Sequence, residues 1–280
     1  MVIVLKDADF SANNIGQIEI DVTIDEFTEA AIAASGNASM TTSQQNALNS
    51  YFKTLGAFGG TGTIWNKLTF LWLPVISGDL AHSLVNYKDN VVSATPNSSY
   101  WTLNNNGIKA VGSPSDGIAV TAPSSISKSD VSVFGIGDNQ VRFLRVGSSN
   151  PGRLGMRCEV SGVGALNFNS QVDSGTAFVS MGFASEPSAT AYKKLFGISV
   201  NGGGSDNVLA LNDSGVVTKT ATLSGADFGT SITLLRDIGT VNNSERGSVK
   251  LLAIGTHLSS AEMIQMKTAC EALIDAFLPQ

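Results

Sequence analysis

Apolar positions along this chain recur with three different periods, and each period predicts a different kind of element. Gln17-Ile-Glu-Ile-Asp-Val-Thr-Ile24 alternates polar and apolar residues, the signature of a strand with one wet face. Val2 to Leu5 reads as a second extended piece, and the polar break Ser11-Ala-Asn-Asn-Ile-Gly16 separates the two. A short helix is predicted from Glu26 to Ala34, with Asp25 as its N-cap and Gly36 as its stop. A longer helix is predicted to begin at Thr42, where Gln45 three residues on completes a capping box. Its apolar residues Leu48, Tyr51, Phe52 and Leu55 share one face, and Gly56 ends it. After the Gly-rich stretch Gly59-Gly-Thr-Gly62, the segments Ile64-Trp65-Asn-Lys-Leu68 and Phe70-Leu-Trp-Leu-Pro-Val-Ile76 are dense in large apolar residues.

From about residue 98 the pattern becomes a series of short β-prone runs. They are separated by turn-forming residues such as Gly137-Asp-Asn139, Asn150-Pro-Gly152, Asn201-Gly-Gly-Gly204 and Asp213-Ser-Gly215. No helical crossovers lie between the runs, so the region predicts a mainly β, antiparallel sandwich rather than a parallel sheet. The period changes again at the end of the chain. Ser259 and Glu262 form a second capping box, Leu258 is placed to staple onto Met263, and Met263, Met266, Cys270, Leu273 and Phe277 make one apolar stripe. Such a stripe predicts a helix docked on the sandwich.

Composition sharpens this picture in one respect. Only 14% of the 280 residues are charged, and Ser, Thr, Asn and Gly take the places that Lys and Glu usually fill. The formal net charge of −6 and the absence of any basic run exclude a nucleic-acid partner, whose phosphates require clustered Lys and Arg. The apolar opening Met1-Val-Ile-Val-Leu5 stops at Lys6, Asp7 and Asp9, too soon for a signal peptide or a membrane span. Synthesis in a cytoplasm without membrane insertion is therefore expected. The two cysteines, Cys158 and Cys270, sit in a strand-like and a helical run and are expected to be reduced core thiols.

Candidate chemistry is sparse. His82 and His257, the only histidines, have no His, Cys or carboxylate at ligand spacing, so neither a metal nor a cofactor is expected. A Ser-His-Asp triad remains open in so Ser-rich a chain, although no Gly-x-Ser-x-Gly elbow is present. Glycoside hydrolysis needs a carboxylate pair. Asp21 and Asp25 have the spacing, but Asp25 is the expected helix cap, while Glu159 and Glu186 stand alone in the strand region. The reading is therefore of a chain that is not an enzyme. Trp72, Tyr100 and Trp101 are the ligand-binding candidates, because an aromatic face stacks on the C–H surface of a sugar ring, although a Trp in a strand run is more often core.

Two passages carry a family resemblance. Ser248-Val-Lys-Leu-Leu-Ala-Ile-Gly-Thr-His-Leu-Ser-Ser-Ala-Glu-Met-Ile264 resembles the closing strand and helix start of laminin-G-like, concanavalin A-like jelly rolls. The opening Asp9-Phe-Ser-Ala-Asn13, followed by a helix pair and then by Ile64-Trp65-Asn-Lys-Leu68, resembles tailed-bacteriophage structural proteins that carry such a domain. The resemblance implies a concanavalin A-like jelly roll with a small N-terminal helical section and a C-terminal helix. Its implied parts are an extended attachment arm over 1–24, a helical section over 25–76 and the sandwich over 77–280. It implies a virion component, a tail-fibre, tail-tip or surface protein that binds other virion proteins through Asp9, Phe10, Ser11 and Asn13. The jelly roll would be displayed as a homo-oligomer to a host surface glycan or receptor. A capsid decoration protein and a carbohydrate-active enzyme on the same sandwich are the alternatives.

Overall fold

The computed structural model describes residues 23–58, 63–104, 107–111, 117–137, 141–146, 154–160, 165–173, 178–182, 186–187, 193–202, 207–212, 214–220, 227–235 and 248–278. Helices α1 (Glu26–Ala34), α2 (Thr42–Leu55) and α3 (Thr63–Lys67) come first, and α4 (Ser260–Phe277) closes the described chain. Among the described residues seventeen strands lie between α3 and α4, all in two antiparallel sheets. The larger sheet orders β15 (Gly215–Thr220), β14 (Asn207–Asn212), β13 (Phe196–Asn201), β7 (Asp130–Gly137), β17 (Ser248–Gly255), β1 (Leu68–Trp72), β2 (Val85–Asn86) and β3 (Val91–Val92). The hairpin of β4 (Trp101–Asn104) and β5 (Gly107–Ala110) joins it through β5 and β17. The smaller sheet orders β11 (Phe178–Gly182), β10 (Ala165–Asp173), β9 (Leu154–Val160), β8 (Val141–Val146), β16 (Gly229–Leu234) and β6 (Ile118–Ile126), and β12 (Glu186–Pro187) also pairs with β10.

These elements form three layers, because the larger sheet buries both of its faces. Phe70, Trp72, Val133, Ile198, Leu252 and Ile254 point into the sandwich, where Ile118, Val120, Ile232 and Leu234 of the smaller sheet meet them. From the opposite face Leu71, Phe134, Ile136, Leu251 and Ala253 pack against Phe52, Leu55, Met263, Met266, Cys270 and Leu273 of the helices. Gly197 leaves the space this second layer needs: a Cβ there would lie 2.1 Å from the Phe134 ring. The mainly β sandwich with a C-terminal helix stands as expected.

Double burial explains why β1, which lies before residue 98, escapes a period-two search. A strand covered on both faces reads as a continuous apolar run, and Phe70-Leu-Trp72 is such a run. In β17 a bulge between Val249 and Leu251 shifts the alternation by one residue. Val249 and Leu252, three apart, therefore both face the sandwich. Strand β2 is held largely by the side chain of buried Asn86, whose Oδ1 accepts from the Leu71 and Lys88 amides at 3.0 and 3.3 Å. Strand β1 pairs with β17 from Leu68 to Trp72, so the main sheet begins within the 25–76 section.

The helix termini follow the sequence closely. Asp25 caps α1 through a 2.9 Å bond from the Phe27 amide, and Ser259 with Glu262 forms the capping box of α4. The box of α2 is one residue earlier than expected: Thr41 is the extended N-cap and Gln44 its partner, whereas Thr42 is already helical. The repeated Thr-Thr and Gln-Gln pairs make both registers readable in the sequence, and the extended backbone of Thr41 marks the one adopted. Gly56 ends α2 with φ at +80°, the left-handed conformation that glycine adopts most readily. Among the described residues β6 is the last strand of the smaller sheet, and Pro123 lies exposed within it, as proline does in edge strands.

Replacing Leu273 by Asp is expected to destabilise the fold by about 3 kcal/mol or more, since it puts a charge against the helix-facing sheet surface. Thr41→Ala and Ser259→Ala are each expected to cost about 1 kcal/mol, while Thr42→Ala costs less. Denaturant midpoints measured for the four variants check both the buried stripe and the cap register.

Candidate functional site

Of the three aromatic candidates, the structure buries two. The Trp72 side chain is 0% exposed, stacks on Phe70 at 4.7 Å between ring centroids, and donates its indole N–H to Ser93 Oγ at 3.0 Å. Trp101 is 4% exposed within the sandwich core. Neither ring offers a face to a ligand, so both leave the candidate list, and the reason is the double burial of the larger sheet. Tyr100 has the opposite environment at 44% exposure.

Tyr100 ends a tight turn that fixes its backbone. Asn97 Oδ1 accepts from the Ser99 amide at 2.9 Å, and the Asn97 carbonyl accepts from the amides of Tyr100 and Trp101 at 3.0 Å each. The Tyr100 carbonyl accepts from the Val111 amide at 2.8 Å, which brings exposed Val111 beside it. Asn97, Ser98 and Ser99 are exposed as well. Between Asp89 and Lys109 the sequence contains no charged residue. The result is a corner with one aromatic ring, an aliphatic side chain and a cluster of amide and hydroxyl groups, on a segment that carries no charge from residue 90 to residue 108. Composition shows the lack of charge, but only the turn geometry separates Tyr100 from its buried neighbour Trp101.

A second polar cluster lies where β7, β13 and β17 meet the start of α4, and it brings together the three residue types of a catalytic triad. Ser199 Oγ lies 2.7 Å from His257 Nδ1, and Asp130 Oδ1 accepts from the His257 backbone amide at 2.7 Å. Ser199 is buried, however, and its hydroxyl both donates to the Leu258 carbonyl and accepts from the Leu258 amide, each at 2.8 Å. With its proton committed there, Ser199 Oγ accepts from Nδ1–H, which leaves Nε2 as the titrating nitrogen. Asp130 holds backbone rather than the imidazole. The cluster is a staple that fixes residues 257–258 to β13. Lys67 completes the junction from α3, with its Nζ 2.7 and 2.9 Å from the carboxylate oxygens of Glu262.

Other sequence candidates are accounted for in part. His82 Nδ1 is paired with Asp79 at 2.7 Å on the surface, and this contact holds the Asp79 carboxyl below its ordinary range. Cys270 is buried beside Tyr51, with burial pushing its thiol up to about 12. Among the described residues no group of His, Cys, Asp and Glu is placed to hold a metal ion, and no helix is long and apolar enough to cross a membrane. Asp9, Phe10, Ser11, Asn13 and Asp21 lie outside the described residues, as do the side chains of Cys158, Glu159 and Glu186.

No protein-family model matches the chain, and no curated protein matches it in sequence. Solved structures that match part of the chain include the botulinum neurotoxin serotype D ligand-binding domain in complex with N-acetylneuraminic acid. It is 13% identical at a TM-score of 0.48, covering 73% of this chain and 51% of that one. The alginate lyase Aly36B is 9% identical at a TM-score of 0.43, covering 67% of this chain and 94% of that one. A xylan β-1,4-xylosidase from Bacillus halodurans C-125 is 9% identical at a TM-score of 0.38, covering 57% of this chain and 35% of that one. The chain thus spans about half the length of the neurotoxin domain. The expectation of a chain that is not an enzyme is corrected by this set, which holds a hydrolase and a lyase beside a binding domain.

The staple predicts an acid-sensitive junction. Desolvation, with the positive charge of Lys67 next, lowers the His257 pKa, while Asp130 and Glu262 act in the opposite sense. A lowered folded-state pKa means that the neutral imidazole is favoured in the fold. The stabilisation is present above the ordinary histidine range and is lost as pH falls through that range to the folded value. Unfolding midpoints measured from pH 8 to pH 5 are expected to fall, and His257→Gln is expected to flatten that slope.

Proposed function

We propose that this chain is a glycan-binding β-sandwich of a bacteriophage virion, presented on a tail fibre, tail tip or other outer surface. The observation that carries the binding reading is Tyr100, an exposed ring on a rigid turn beside the side chains of Asn97, Ser98 and Ser99. Aromatic rings take up the apolar face of a pyranose, and neighbouring amide and hydroxyl groups exchange hydrogen bonds with its hydroxyls. The lack of charge from residue 90 to residue 108 favours a neutral sugar, because an acidic one would need a cation to offset its desolvation. The virion reading rests on the sequence resemblance, in which Asp9, Phe10, Ser11 and Asn13 form the part that joins other virion proteins. A homo-oligomer repeated around a particle would turn weak single-site contacts into firm attachment by multivalency.

Binding to an array of neutral host-surface oligosaccharides tests the site. Tyr100→Ala is expected to weaken binding by about tenfold and to leave the unfolding midpoint unchanged. Equal binding by the variant would remove the glycan site from this corner. Immuno-electron microscopy of particles tests the virion reading separately, since absence of the protein from purified virions would overturn it.

A further inference from the structure

The turn that carries Tyr100 leads into a hairpin, and one face of that hairpin holds a cation. In the β4–β5 register Trp101 lies opposite Ala110, Thr102 opposite Lys109 and Leu103 opposite Ile108. The bond from the Val111 amide to the Tyr100 carbonyl carries the same pairing one step further. Directly paired residues share a face of the sheet, and the faces alternate along each strand. Trp101 and Ile108 belong to the sandwich core. The side chains of Tyr100, Thr102, Lys109 and Val111 therefore share the opposite face, where Tyr100 and Val111 are exposed and Thr102 and Lys109 are partly buried.

Spacing and charge extend this row beyond a single sugar ring. Two residues along a strand span about 7 Å, a step comparable to that from one pyranose to the next in a chain. Thr102 and Lys109 lie one such step down the hairpin from Tyr100 and Val111. Strand β5 pairs with β4 on one side and with β17 on the other, which fixes the backbone beneath Lys109. Lys109 is also the first charged residue after Asp89. It stands diagonal to Tyr100, a separation that long side chains bridge. Its ammonium supplies three donors and the positive charge that residues 90 to 108 lack.

Building on the glycan reading of Tyr100, we propose that Thr102 and Lys109 form a second subsite and that the ligand is an acidic oligosaccharide. A neutral ring rests on Tyr100 and Val111, and the unit joined to it bears a carboxylate that Lys109 holds. The Thr102 hydroxyl, whose proton is turned toward the Leu103 carbonyl at 3.4 Å, accepts from a sugar hydroxyl between the two. Hydrogen bonds between ammonium and carboxylate are about twice as strong as neutral ones, so the acidic unit decides which glycan is retained.

An array of oligosaccharides that join a neutral hexose to a hexuronic acid, each beside its carboxyl-reduced counterpart, tests this with the full chain. The acidic members are expected to bind about tenfold more tightly than their counterparts, a preference that shrinks in high salt. Lys109→Met keeps an unbranched apolar stem and is expected to abolish the preference, whereas Lys109→Arg keeps the charge and retains it. Equal binding of both members of each pair, or a preference that survives in Lys109→Met, overturns the second subsite. The Tyr100 site outlives that result if Tyr100→Ala still weakens binding. Absence of binding to every member, or full binding by Tyr100→Ala, overturns the Tyr100 site and the second subsite together.

Discussion

Every residue of Ser248–Gly255 is buried, and the apolar side chains of the strand divide between two separate layers. That constraint organises the molecule. A sheet with one wet face needs only a partner sheet, but one whose central strand is apolar on both sides needs a cover on each. Helices α2 and α4 supply the second cover, and β7 and β1 flank β17 so that its backbone groups are paired along both sides. The helices are thus half of the core rather than an appendage to a jelly roll.

The same constraint decides what the sequence discloses. Helices α1, α2 and α4 are legible because each is amphipathic and bounded by capping residues, and such signals are local. The strands of the smaller sheet are legible where one face is wet, as in Ile118, Val120 and Ala122 of β6, which alternate with exposed residues. Strand β1 is not, because Phe70-Leu-Trp72 has no polar face to set a period. Strands β2 and β3 are too short to have one, and β2 depends on a side chain, that of Asn86, standing in for backbone.

The candidate site was legible to the level of residue type and no further. Trp72, Tyr100 and Trp101 have equal claims as aromatic residues, and adjacent residues on one strand face opposite ways. Which of Tyr100 and Trp101 is outside depends on the turn at Asn97 and on the pairing of β4 with β5. The Ser199 staple was hidden for a related reason. It joins β13 to the segment before α4, 58 residues apart, and no local pattern records such a pairing.

The ion pair of Lys67 with Glu262 spans 195 residues of sequence, and the β1–β17 ladder beside it closes a loop of similar length. Contacts at such separation are paid for in loop-closure entropy before they return any stability. During synthesis α1, α2, α3 and β1 emerge long before the strand and helix that cover them. Their apolar faces stay uncovered on the ribosome until the last fifth of the chain is made. A fold built this way leaves its early helices without the strand and helix that cover them until late in synthesis.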